Sequence, residues 1–190
     1  IHCTSLTSVN IPGSVQTIGQ DAFKECSGLT SVTIANGVQS IGPWAFYGCS
    51  GLTDVTVPGS VQTIEQDAFA NCAQLDSVTI ADGVQTIGQG AFHGCPALNS
   101  VTIEDGVTSI EPWAFDNCSA LTTVDIPNTV TSIGQDAFRR SGLTSVDIPG
   151  SVDTIGQDAF KECSALTSIT IADGVETIDY AAFAYTGLTS

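Results

Sequence analysis

Apolar residues return along this chain in a fixed order. Leucine is followed three residues on by valine and two further on by isoleucine or valine. A polar turn comes next, then Val and Ile again, then Ala-Phe and, three residues past the phenylalanine, cysteine. Leu29, Val32, Ile34, Val38, Ile41, Ala45, Phe46 and Cys49 form one such set. Leucine falls at 6, 29, 52, 75, 98, 121, 143, 166 and 188, a spacing of 23 residues shortened twice to 22. Phenylalanine keeps the same beat at 23, 46, 69, 92, 115, 138, 160 and 183, each time after an alanine. A fixed period in the twenties identifies stacked coils, and such an array forms one quasi-one-dimensional domain in which each repeat contacts only its neighbours. Residues 1–190 are therefore expected to form a single solenoid of eight consecutive 22–23-residue units with partial units at both ends. Both ends fall inside a repeat, so a piece of a longer array is expected, with the targeting information outside it.

Within one unit, Val32 and Ile34 share a strand face with Thr33 opposite. Ala35-Asn36-Gly37, replaced elsewhere by Pro-Gly-Ser, Ala-Asp-Gly or Pro-Asn-Thr, is turn chemistry, and proline would interrupt a ladder. Val38 to Ile41 reads as a second, shorter strand. Pro43 and Pro112 suit the first position of a helical turn, and acidic residues at that place in other units favour the start of one. A single helical turn over Ala-Phe is the expectation, stable only when stacked. Each unit offers Leu, Val, Ile, Val, Ile, Ala, Phe and Cys to a core that it cannot bury alone. Stacking brings like side chains into columns, and every strand must be parallel because every coil runs the same way round.

Charge narrows the partners. The formal net charge is -16, and Lys24, Arg139, Arg140 and Lys161 are the only lysines and arginines. Nucleic acid and anionic lipid surfaces are poor partners for such a chain, and no apolar run reaches the length of a membrane span. Seven cysteines are present, and Cys3, Cys26, Cys49, Cys72, Cys95 and Cys118 lie 23 residues apart, with Cys163 in phase. Stacked one rung apart, with strands spaced about 4.8 Å, their parallel Cβ vectors sit beyond the roughly 3.8 Å of a disulfide. A ladder of reduced, buried thiols is expected. The paired cysteines of a zinc site are absent, and no cofactor is implied.

The strand core Leu-x-x-Val-x-Ile matches that of leucine-rich repeats, but Ser14, Gly37, Ser60, Gly83, Gly106, Thr129, Ser151 and Gly174 stand where those repeats place Asn or Cys. The longer run from Leu29-Thr-Ser-Val-Thr-Ile through Val38-Gln-Ser-Ile-Gly to Ala45-Phe-Tyr-Gly-Cys instead resembles the BspA-like subclass, over essentially the whole chain. The resemblance implies a repeat solenoid: a leucine-rich-repeat-like right-handed coil with its parallel β-sheet on the concave face, short second strands and single helical turns elsewhere. It also implies a cell-surface or secreted protein that adheres to an extracellular protein or glycan. That family has no catalytic residues to carry over, so no enzyme is expected. Two units, Phe138-Arg-Arg-Ser-Gly-Leu143 and Phe183-Ala-Tyr-Thr-Gly-Leu188, are a residue short and lack the cysteine, and a local change of curvature is expected there.

The outward strand column reads Asn10, Thr33, Thr56, Thr79, Thr102, Asp125, Asp147 and Thr170, beside a second column of mostly serine. Threonine suits any strand, but an extended, hydroxyl-rich face is also what solenoids use for binding. Thr56, Thr79, Thr102, Asp125, Asp147 and Thr170 are the candidate ligand-binding residues. Asp125 and Asp147 fall on adjacent rungs, where like charges are unfavourable. A cation would relieve them, though no calcium-loop motif accompanies them. Arg139, Arg140 and Lys161 form a candidate basic patch for an acidic partner, or balance neighbouring acids. His2 and His93 lie on the outer turn, unpaired, with no catalytic or metal role expected. Against the adhesion module stands a structural alternative, a spacer or fibre subunit that self-associates head to tail through apolar end faces.

Overall fold

The computed structural model describes residues 2–189 as a stack of parallel coils. Each coil contributes a two-residue strand, and every coil but the one at Leu121 a four-residue strand. The four-residue strands are β1 (Ser8–Ile11), β3 (Ser31–Ile34), β5 (Asp54–Val57), β7 (Ser77–Ile80) and β9 (Ser100–Ile103), which pair in that order into one sheet. Further along, β12 (Ser145–Ile148) pairs with β14 (Ser168–Ile171). The short strands β2 (Thr17–Ile18), β4 (Ser40–Ile41), β6 (Thr63–Ile64), β8 (Thr86–Ile87), β10 (Ser109–Ile110), β11 (Ser132–Ile133), β13 (Thr154–Ile155) and β15 (Thr177–Ile178) form an uninterrupted eight-stranded ladder on a second side. All pairings are parallel and in register, as Val78 opposite Val101 and Ile80 opposite Ile103 show. The parallel solenoid expected from the 23-residue period is thus what the chain forms.

The core is a set of columns. Phe23, Phe46, Phe69, Phe92, Phe115, Phe138, Phe160 and Phe183 stack with centroids 5.0–5.4 Å apart and planes within 9° of parallel. Six of the eight rings are fully buried, from Phe46 to Phe160, and burying each contributes about 1.5–3 kcal/mol. Leu, Val, Ile and Ala columns complete the core and thin out at the two ends, where Val9, Val15, Phe23, Ile169, Val175 and Phe183 are only partly covered.

The third side of each coil departs from the expected helical turn. None of the described segments is helical, and residues 19–26 are linked β-turns. The N–H groups of Ala22, Lys24 and Cys26 donate within the turn to Gly19, Asp21 and Phe23, at 3.1–3.3 Å. Those of Asp21, Phe23 and Glu25 donate across to Pro43, Ala45 and Tyr47 of the next coil, at 2.7–3.0 Å. An α-helical turn bonds only to itself; this alternation lets the turn side join the stack as a ladder of its own. The geometry requires a left-handed residue twice per turn, four positions apart. Asp21, Trp44, Asp67, Gly90, Trp113, Asp136, Asp158 and Ala181 fill the first place, all with φ of 52–61°.

Where ordinary leucine-rich repeats carry an asparagine ladder, hydroxyls take over the work. Ser60 accepts from the Gly37 N–H (3.0 Å) and donates to the Val38 carbonyl (2.7 Å). Thr129 does the same with Gly106 and Val107, at 3.2 and 2.8 Å. The other turns of this column carry a glycine, such as Gly37, whose φ of 113° and contact with the Gly13 carbonyl leave no space for a Cβ, or a serine, at Ser14 and Ser151.

Candidate binding surface

Along the wide sheet, valine and isoleucine point in and hydroxyls point out. Thr33, Thr56, Thr102 and Thr170 are exposed and Thr79 half-buried, while Val55, Val78 and Val101 beneath them are buried. Pairing keeps the hydroxyls in rows, with Thr56 opposite Thr79 and Thr79 opposite Thr102. The column immediately after each leucine behaves differently. Thr30, Thr53, Thr144 and Thr167 turn their hydroxyls onto the carbonyl of the preceding rung, at 3.0–3.5 Å. Among the described residues, the hydroxyls of Thr33, Thr56, Thr79, Thr102 and Thr170 donate to no protein group, so they face solvent with donor and acceptor capacity unspent.

The sheet breaks at one place. Thr122 to Ile126 keeps the alternation of exposed and buried residues but joins no strand ladder, so the first five wide strands are separated from β12 and β14. Asp125 lies there, and Asp147 stands on the next rung in β12, paired with Thr170 on its far side. Between the two rungs runs a cleft of about 180 Å³ bordered by Thr123, Asp125, Ser145 and Asp147. Two causes coincide: like charges on adjacent rungs resist close pairing, and the coil from Leu121 to Leu143 is the first of 22 residues. Among the described residues no group of three potential metal ligands gathers, at this cleft or elsewhere.

The basic residues are each committed to a carboxylate. Arg139 Nε and Nη2 hold both oxygens of Asp116, at 3.0 and 3.1 Å, while its Nη1 lies 3.2 Å from Asp136. Arg140 meets Glu162 at 2.8 Å and Lys161 meets Asp158 at 3.2 Å. Arg139 and Arg140 share a rung and Lys161 lies on the next, but as a mixed-charge lattice. The histidines are paired as well: His2 Nδ1 lies 2.6 Å from Glu25, and His93 Nδ1 lies 3.1 Å from Asp116, an ion-pair contact out of line for a hydrogen bond. Asp116, only 1% exposed, is thus clamped between His93 and Arg139 from the rungs on either side. Burial pushes its carboxyl up, yet its contacts with His93 and Arg139 outweigh burial and hold it below the usual range. The same contact raises His93. This triad was legible only by reading the position after each phenylalanine as a column: His93, Asp116, Arg139.

Cysteine serves the core. The thiols of Cys49, Cys72, Cys95 and Cys118 each donate to the phenylalanine carbonyl of the preceding rung, at 3.1–3.3 Å. Burial pushes Cys49 and Cys95 up to about 12, far from the thiolate that nucleophilic or metal chemistry needs. All seven are free, and Cys3 alone is exposed. In the first short coil Ser141 occupies the cysteine place, buried and 3.2 Å from Cys163 Sγ, so the missing residue falls between it and Leu143.

Parallel four-residue strands on one side, thiol-capped turns on another and a leucine at each entry define a leucine-rich-repeat solenoid. The chain belongs to the family of BspA type leucine-rich repeats, whose sequence profile matches residues 1–110 and 85–190 in six copies. Among solved structures it is similar to a leucine-rich repeat protein from Eubacterium ventriosum, with a TM-score of 0.74 and 26% identity over 97% of this chain and 44% of that one. It is also similar to a leucine-rich cell surface protein from Faecalibacterium prausnitzii, with a TM-score of 0.57 and 33% identity over 95% of this chain and 64% of that one. A leucine-rich repeat protein from Bacteroides ovatus shares the fold, with a TM-score of 0.66 and 24% identity over 97% of this chain and 65% of that one. The chain therefore spans less than two thirds of the length of each. No curated protein sequence matches it. Among the described residues no helix is long and apolar enough to cross a membrane.

Proposed function

We propose that the chain is a binding module of a cell-surface or secreted protein, adhering to an extracellular protein or glycan through the face of its wide sheet. The observation that carries this reading is the row of unspent hydroxyls at Thr56, Thr79 and Thr102, held in register on the face that Thr33 shares, beside threonines whose hydroxyls are spent on backbone. A rigid row of donor-acceptor groups over a fixed backbone offers hydrogen bonds at little entropic cost, and Asp125 and Asp147 add a charged end to it. Family membership supports a role in protein binding or adhesion, and the name of the Faecalibacterium relative places that protein at the cell surface. Arg139, Arg140 and Lys161 border the turn side as ion pairs and serve stability more than capture of an acidic partner.

The test uses Thr79, Thr102, Asp125 and Asp147 replaced together by lysine, with binding measured to immobilised extracellular-matrix proteins and to a glycan array. Binding by the native chain and its loss in the folded variant is the expected result; equal binding by both overturns the assignment of the face.

A further inference from the structure

Four coils carry a Gln-Asp pair ahead of Ala-Phe: Gln20-Asp21, Gln66-Asp67, Gln135-Asp136 and Gln157-Asp158. In all four the glutamine amide donates to the aspartate Oδ2, at 3.0–3.3 Å. In three of them Oδ1 lies 3.2 Å from a cation three residues on: Lys24, Arg139 or Lys161. Asp67 has Ala70 at that place. Its Oδ1 lies instead against Gly90 on the next rung, where a Cβ would come within 2.2 Å of it. Gly90 stands in a column that the rungs on either side fill with Asp67 and Trp113, and its missing side chain opens a cavity of about 270 Å³. Asp67, Gln89, His93, Trp113, Asp116 and Arg139 line it.

The chain itself shows what an aspartate and a tryptophan hold when they meet in this column. Asp21 and Trp44, on adjacent rungs, take Lys24 between them. Its ammonium lies 3.2 Å from Asp21, 5.7 Å from the Trp44 ring centroid and 5.5 Å from that of Tyr47. Asp67 and Trp113 repeat the pair two rungs apart, with Gly90 between them. The cations that line this cavity are engaged elsewhere, Arg139 by Asp116 and Asp136 and His93 by Asp116.

We infer that the cavity over Gly90 receives the ammonium group of a lysine side chain from a basic partner protein. Asp67 Oδ1 supplies the counter-charge, the Trp113 ring a cation–π wall, and the Gln89 amide oxygen an acceptor. The net charge of -16 draws such a partner in. The cavity lies on the turn side, so it is a second contact surface, independent of the hydroxyl face.

The probe is n-butylammonium, a lysine side-chain analogue, titrated into the 15N-labelled chain while the two tryptophan indole N–H resonances are followed. The buffer, about pH 8.5, lies well below the ordinary ammonium value of about 10.4, so the probe stays charged. The Trp113 resonance is expected to shift with saturation, while Trp44, already occupied by Lys24, stays in place; neutral n-butanol should move neither. Asp67→Asn should weaken the response at least about tenfold. Gly90→Asn, a residue that tolerates left-handed backbone, should fill the slot and abolish the response with the circular dichroism unchanged. An equal response to butanol, equal shifts of both tryptophans, or a response that survives Asp67→Asn overturns the inference. The lysine substitutions on the wide sheet should leave the Trp113 response intact, which separates the two surfaces.

Discussion

At the residue scale, the sharpest consequences come from Asp116. Its folded carboxyl titrates below the usual value, so the stability it lends is present above the unfolded carboxylate pKa and lost as pH falls through the lowered folded one. His93 has the opposite sign: its folded pKa is raised, so its contribution is full below 6.5 and lost as pH rises through the folded value. Asp116→Asn should therefore cost most in the window between, about 1–3 kcal/mol near pH 5.5 by chemical denaturation. The cost should shrink as pH rises through the folded His93 value and vanish once the carboxylate is protonated. The thiols give a second prediction. Burial raises Cys26, Cys49, Cys72, Cys95, Cys118 and Cys163, so a thiol reagent should titrate Cys3 in the native chain and the other six only after unfolding. Backbone strain gives a third. Ala181 holds a φ of 55° without glycine's freedom, and Ala181→Gly should raise stability by up to about 1 kcal/mol.

At the scale of elements, the strands and core columns could be read directly from periodicity, because a period-2 alternation inside a 23-residue beat admits one register. The turn could not, since Pro43 and Asp21 suit a helix start as well as a turn. The column Asp21, Trp44, Asp67, Gly90 held the missing signal: glycine and aspartate in one place mark left-handed backbone. The hydroxyl row was also legible, but which threonines spend their hydroxyls on the backbone depends on the pitch between rungs, which no single repeat encodes. Nor did the sequence show that the sheet would part at Asp125, because a short coil and a like-charge pair act there together. Replacing Asp125 by threonine removes one cause. It should stabilise the chain by about 0.2–1 kcal/mol, and hydrogen exchange should show new protection at Asp147 if the ladder closes. The phenylalanine spine sets the larger scale of stability: Phe92→Ala should cost about 3–5 kcal/mol, and Phe23→Ala, at a partly covered end, clearly less.

For the whole molecule, stacking explains why function is spread over a surface. Each coil repeats the same core, so only outward positions differ from rung to rung, and those differences fall on two sides. On the strand side a row of free hydroxyls leads to two aspartates; on the turn side Asp21, Asp136 and Asp158 each meet a cation three residues on, and Asp67 does not. With -16 net charge, nonspecific attraction could imitate either surface, so a control must add the same charge elsewhere. Lysines at Gln16, Gln39, Gln62, Gln85 and Asp153, exposed positions leading into the short strands, provide it. The most direct measurement compares the native chain, this control and the variant with lysine at Thr79, Thr102, Asp125 and Asp147, all against the same matrix-protein and glycan panel. The account predicts that the native chain and the control bind alike and the strand-face variant does not. No binding by the native chain, or loss in the control as complete as in the strand-face variant, would contradict it.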